Sequence, residues 1–122
     1  ELSQPYVAKY IENKQINTTK FIGQLPFNKS DLDFLKMALR NVVASETGTA
    51  NILEIGNLKV AGKTGTAQTG KGKSHAWFVG FCPSNKPKIA FCIFLEYGGS
   101  SYNAVIIARS LLNFMSSEGI LN

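Results

Sequence analysis

The sequence predicts an α+β domain: an antiparallel sheet in a meander of three strands, covered by helices. Three observations predict it. Two aromatic-rich apolar runs, Ala76 to Phe81 and Ile89 to Leu95, flank a turn built from Pro83 and Asn85-Lys86-Pro87, which is the pattern of a hairpin. A longer run from Leu58 to Gln68 precedes them, separated by the polar loop Thr69 to Ser74. Apolar residues at helical spacing occur on either side of these strands in the chain.

Taken in order, residues 5 to 12 alternate, with Tyr6, Ala8 and Tyr10 set against Val7, Lys9 and Ile11. Asn13-Lys14 and a Thr-rich run ending Phe21-Ile22-Gly23 follow, so residues 1–24 are expected to form a β-hairpin. Ser30 stands before Asp31 and Asp33 as an N-cap with acids in the first turn. Leu32, Leu35, Leu39, Val42 and Val43 then recur at helical spacing, widened by Phe34 and Ala38, which sets a helix over residues 31–44. Gly48 ends it in the turn Thr47-Gly48-Thr49, read as a connector.

A short strand is expected around Ile52 to Ile55, then a turn at Gly56-Asn57 and the three strands within residues 58–96. Ile89 to Leu95 does not alternate, so this strand is expected to be buried on both faces. The last element, a helix over residues 102–117, is apolar nearly all round between Ala104 and Met115 and is expected to be buried. It would cover one face of the sheet, and the helix from Asp31 part of another.

Composition narrows the function classes. A chain of 122 residues with 44% apolar and 17% charged side chains is a single packed domain at most. The net charge of +5 favours an anionic partner, but the basic residues are scattered and no basic stripe with interleaved aromatics appears. That argues against nucleic acid and for a ligand carboxylate. Cys82 and Cys92 lie in apolar runs and read as small buried residues. With the lone His75 they fall short of a metal set, so neither metal nor cofactor is expected. No run of about 18 apolar residues and no charged-then-apolar leader is present, so any membrane anchor would come from upstream sequence.

The chemistry gathers in Val60-Ala61-Gly62-Lys63-Thr64-Gly65-Thr66-Ala67-Gln68. Two glycines inside a strand mark a place where something approaches the backbone closely, here read as a ligand. Side chains alternate, so Lys63 and Gly65 point one way and Thr64 and Thr66 the other. A ligand meets both sets only by lying along an open strand edge, which makes this an edge strand. The Lys63 amine and the two hydroxyls would then recognise a carboxylate, and a backbone N–H could stabilise an oxyanion. A plain surface strand with a solvated lysine is the bland alternative. A phosphate loop is refused by spacing, because the glycine it needs falls at Asn57, and by the absence of a following helix.

Lys63-Thr64-Gly65-Thr66-Ala67-Gln68, then His75-Ala76-Trp77-Phe78-Val79-Gly80-Phe81-Cys82-Pro83 and Pro87-Lys88-Ile89-Ala90, resemble the end of the transpeptidase domain of class B penicillin-binding proteins, especially the cell-elongation type. The likeness takes in Val42-Val43, Gly48-Thr49-Ala50 and the final helix. It implies a partial penicillin-binding-protein or serine β-lactamase-like fold, the C-terminal part of a serine acyltransferase that cross-links peptidoglycan stem peptides and is acylated by β-lactams. By that resemblance Lys63 supplies positive potential, Thr64 and Thr66 bind the carboxylate, the Thr66 N–H forms half of the oxyanion hole, and Gly65, Ala67 and Gln68 border the substrate. It also implies a parent on the outer face of the bacterial cytoplasmic membrane, in the periplasm.

The departures bear on activity. No serine has a lysine three residues on, so the nucleophile is expected elsewhere and the chain by itself is expected to be inactive. Ser101-Tyr102-Asn103 spells the second motif, but after the Lys-Thr-Gly strand where the family has it before, and is read as chance. His75 is read as structural, since a base without a nucleophile has nothing to activate. Two other readings stay open: a β-lactamase or β-lactam sensor domain, and a non-catalytic binding module that self-associates through open strand edges.

Overall fold

A computed structural model describes residues 1–70 and 72–121. The chain divides into two compact units, Glu1–Leu32 and Asp33–Asn122.

In the first unit, strands β1 (Leu2–Ser3) and β4 (Phe21–Gly23) pair antiparallel, and β2 (Tyr10–Ile11) pairs with β3 (Lys14–Gln15). The tight turn between β2 and β3 carries positive φ at both Glu12 (47°) and Asn13 (64°). That is a primed hairpin turn, whose twist matches the flanking strands. Residues 1–24 thus form two separate strand pairs, one nested within the other in sequence.

Helix α1 spans Lys29–Ala44. Its start is capped by Asn28, whose Oδ1 accepts the Asp31 N–H at 2.9 Å, so the cap stands two residues before the expected Ser30. An asparagine three residues ahead of the donor satisfies it as well as a serine would, which is why composition alone did not separate them. Only Val43 of α1 is buried, where it belongs to the same hydrophobic core as Val60, Phe78 and Leu112, with Val42 packed against it. The body of α1 makes no close backbone contact with a strand among the described residues, so its cover is confined to its C-terminal end.

Residues Asn51–Leu53 form a 3₁₀ turn, with a single bridge between Ile55 and Leu58, in place of the expected short strand. Leu53 is fully buried, and the tight turn is what carries it into the core beneath α2. The salt bridge of Arg40 to Glu54 (2.5 Å) and the Arg40 bond to the Val60 carbonyl (3.1 Å) tie the end of α1 to the entry of the next strand.

Strands β5 (Ala61–Ala67), β6 (His75–Cys82) and β7 (Ile89–Leu95) form an antiparallel sheet in the order β5-β6-β7. The register sets Lys63 opposite Val79, Thr64 opposite Phe78 and Thr66 opposite Ala76, then Phe78 opposite Ile93 and Trp77 opposite Phe94. Helix α2 (Ser101–Ser117) lies against all three strands. The core forms between them from Val60, Ala76, Phe78, Cys82, Val105 and Leu112, together with Leu53 and Leu58. Full burial of Phe78 contributes about 2–3 kcal/mol of transfer free energy, the largest single apolar contribution of this layer.

Two burial expectations are corrected. Along β7 exposure alternates, with Ile89, Phe91, Ile93 and Leu95 toward the core and Ala90, Cys92 and Phe94 outward. Cys82 is buried but Cys92 is exposed. Along α2 one face is buried (Ala104, Val105, Ala108, Leu112), while Ile107 and Phe114 are 46% and 61% exposed. In both cases the described residues supply an apolar neighbour on one side only, so an all-apolar segment is half covered.

Candidate functional site

Strand β5 occupies one edge of its sheet, as the ligand argument required. Among the described residues its one strand neighbour is β6, so part of its backbone hydrogen-bonding capacity is not used by the ladder. Lys63, Gly65 and Ala67 share a face with His75, Trp77 and Val79, and through them with Cys92 and Phe94. This is the face away from α2. The Trp77 and Phe94 rings pack together on it, 4.2 Å between centroids and tilted by 37°.

Lys63 is exposed, and its amine donates to the Thr64 carbonyl at 2.9 Å. Among the described residues no acidic side chain forms a salt bridge with it, so its charge is available to a ligand anion. Thr64 and Thr66 point to the α2 side. Thr64 is 9% exposed, and its Oγ1 lies 2.9 Å from Thr49 Oγ1. The Thr66 Oγ1 accepts the Ser101 N–H at 3.2 Å. Ala67 and Gln68 are exposed beyond it, where β5 ends.

The two glycines serve different ends. A Cβ at Gly62 would come within 2.6 Å of the Phe78 ring and 3.1 Å of the Gly80 Cα, so the group approaching here is β6 itself and not a ligand. A Cβ at Gly65 would meet only the Trp77 Cβ, at 3.5 Å, an ordinary contact. Protein packing demands the first glycine and leaves the second unexplained.

The segment from β7 to α2 is fastened over the ends of β5 and β6. The Tyr97 N–H donates to His75 Nδ1 (2.9 Å), the Gly99 N–H to the Ser74 carbonyl (2.8 Å), and the Ser101 N–H to Thr66. His75 also packs against the Phe94 and Tyr97 rings at 5.4 and 4.9 Å. Its Nδ1 is an acceptor, so the imidazole holds this segment through one nitrogen and carries its proton on the other. Ser101 opens α2, and the Asn103 side-chain amide donates to the Gly98 carbonyl (2.7 Å), closing the same turn.

One contact escaped the sequence altogether, the hydroxyl pair Thr49–Thr64. The signal available was the turn Thr47-Gly48-Thr49, which by itself reads as a connector. Among the described residues no group of His, Cys, Asp and Glu comes together to hold a metal ion, and no helix is long and apolar enough to cross a membrane. Burial raises the Cys82 thiol above its ordinary value, with Arg40 pulling the other way.

Residues 1–114 match the family described as the penicillin binding protein transpeptidase domain. The peptidoglycan D,D-transpeptidase MrdA of Acinetobacter baumannii is 31% identical over an alignment 107 residues long that covers 75% of this chain and 16% of that protein. Among solved structures, the complex between penicillin-binding protein PBP2 and MreC from Helicobacter pylori contains a chain 31% identical, with a TM-score of 0.71 over 91% of this chain and 21% of that one. Penicillin-binding protein A from M. tuberculosis, solved as a ceftriaxone acyl-enzyme complex, is 26% identical with a TM-score of 0.54 over 65% of this chain and 19% of that one. The chain thus spans about a fifth or less of the length of these relatives.

Proposed function

This chain belongs to the penicillin binding protein transpeptidase domain family, and from that premise we propose that it is one wall of a peptidoglycan D,D-transpeptidase site, in a parent of class B and the cell-elongation type. The wall is β5. The observation that carries this reading is the placement of Lys63, Thr64 and Thr66 on an edge strand, within the residues that match the family.

The chemistry follows from the donors. A stem peptide, or a β-lactam that imitates it, carries a carboxylate that can only accept hydrogen bonds. The Lys63 ammonium supplies positive potential, and the hydroxyls of Thr64 and Thr66 donate to that carboxylate. The peptide lies along β5 as an added strand, past Gly65, Ala67 and Gln68. The backbone N–H of Thr66 contributes one donor to the oxyanion that forms when a serine attacks the scissile carbonyl, where a preorganised donor lowers the barrier most.

The serine is not among these residues, since none is followed three positions on by lysine. The reaction needs the remainder of a longer protein, which we place on the outer face of the bacterial cytoplasmic membrane, in the periplasm. The test is labelling with a fluorescent penicillin. The full-length protein forms a stable adduct that survives denaturation, whereas this chain by itself forms none. A covalent adduct on the isolated chain overturns the assignment of the nucleophile, and absence of labelling in the full-length protein overturns the family chemistry.

The open edges favour a second reading. β5 and β7 each have one strand partner among the described residues, and such edges invite pairing with another chain. Self-association of the isolated chain would show in sedimentation as a dimer or larger species, and a clean monomer across a hundredfold range of concentration counts against it.

A further inference from the structure

We propose that Thr49 is a positioning residue for the carboxylate site, acting through Thr64. The inference rests on the reading above that Thr64 and Thr66 donate to the ligand carboxylate, and it names a residue outside the Lys63–Gln68 strand that makes this donation possible.

A threonine hydroxyl has one proton to give and two lone pairs to receive with. At Thr66 the division is settled by its neighbour. The Ser101 N–H can only donate, so the Thr66 oxygen accepts there and keeps its own proton for another partner. At Thr64 the contact with Thr49, 2.9 Å between two hydroxyl oxygens, can run in either sense. If Thr64 donates to Thr49, it has no proton left for a carboxylate. If Thr49 donates to Thr64, the Thr64 proton is free, and the oxygen that gives it is polarised by the bond it receives. A bound carboxylate accepts only, and so selects the second sense. Both threonines then stand in the same state, each held from behind at its oxygen and each offering its proton to the ligand.

Thr49 is built for this task by its backbone. The turn after α1 is pinned on both sides of it, by the Gly48 N–H on the Ser45 carbonyl (2.9 Å) and the Ala50 N–H on the Val42 carbonyl (3.0 Å). A Cβ at Gly48 would come within 2.9 Å of the Ser45 carbonyl oxygen, so the turn packs too closely for any other residue there. Ala50 is fully buried on the far side. The hydroxyl is therefore presented from a fixed support, while Thr64 itself is only 9% exposed and has little water with which to satisfy its oxygen instead.

The test is acylation kinetics of the full-length protein with a fluorescent penicillin, resolving the dissociation constant of the non-covalent complex from the rate constant of acylation. Thr49→Val is expected to weaken non-covalent binding about three- to tenfold, the range of one hydrogen bond, with the acylation rate constant retained. In a Thr64→Val background the same change is expected to add less than about twofold, because a residue acting through Thr64 has nothing left to act on. Ser101→Pro provides the matching arm at Thr66. It deletes the N–H donor at the first position of a helix, where proline is well accepted, and Ser100 (φ −73°, ψ 141°) already has the conformation that precedes proline. Thr49 is exposed, so Thr49→Ala repeats the cycle should valine disturb the turn. Effects of Thr49 and Thr64 that multiply independently, or no effect of Thr49 on binding, overturn the proposal. A wild-type protein that is not acylated at all overturns the underlying reading instead.

Discussion

Replacing Gly62 and Gly65 by alanine, one at a time, separates what the fold needs from what the ligand needs. At position 62 the new methyl group falls within 2.6 Å of the Phe78 ring and 3.1 Å of the Gly80 Cα, well inside van der Waals contact. Phe78 is fully buried in the core and Gly80 belongs to the paired strand, so neither moves freely. The cost is that of overpacking, about 1–3 kcal/mol. At position 65 the methyl group finds ordinary contact at 3.5 Å, and the residue does not have the positive φ that favours glycine. Alanine there removes the entropic penalty of a strand glycine, a gain of about 0.5–1 kcal/mol. The two variants, alike in chemistry and three residues apart, should therefore differ by roughly 1.5–4 kcal/mol in unfolding free energy, in denaturant titrations of the full-length protein. Penicillin acylation should fall in Gly65→Ala despite its stability, because β5 is where the ligand backbone lies. Equal destabilisation of the two would refute the packing account of Gly62, and an acylation-competent Gly65→Ala would refute the placement of a ligand against that residue.

The cysteines give two more expectations. Cys92, exposed on β7, should react with a thiol reagent at pH 8 in the native protein, and Cys82 only after unfolding; equal rates would contradict the strand orientation. Burial raises the Cys82 thiol, so the folded state favours the protonated form. Its contribution is complete below the free-thiol value of 9.0 and is lost as pH rises through the folded value, so a Cys82→Ala variant should show a shallower loss of stability above pH 9 than the parent, read from thermal melts across pH 7.5–10.5.

Much of this chain is legible before folding because the information is local. The hairpin of β6 and β7 follows from two β-rich runs and a proline-containing turn, and β5 announces itself by a glycine-flanked lysine and two threonines. That β5 lies at an edge was deduced from chemistry, since one ligand can reach both faces of a strand only along its side. The α2 helix is likewise visible as a long run that is apolar nearly all round, while its cap, Ser100 accepting the Tyr102 N–H, comes from the structure.

What the tertiary structure alone decided concerns sides and partners. An apolar run states that burial is favourable but not how many neighbours the fold provides, so Ile89 to Leu95 and Ala104 to Met115 read as wholly buried and are buried on one face. A strand glycine states that something comes close but not what: at Gly62 it is β6 and its phenyl ring. The pairing of Thr49 with Thr64 joins residues fifteen apart through a turn whose direction no local pattern encodes. Residue type and period are properties of a segment. Coverage, close approach and hydroxyl pairing are properties of where segments meet, and those depend on the path of the whole chain.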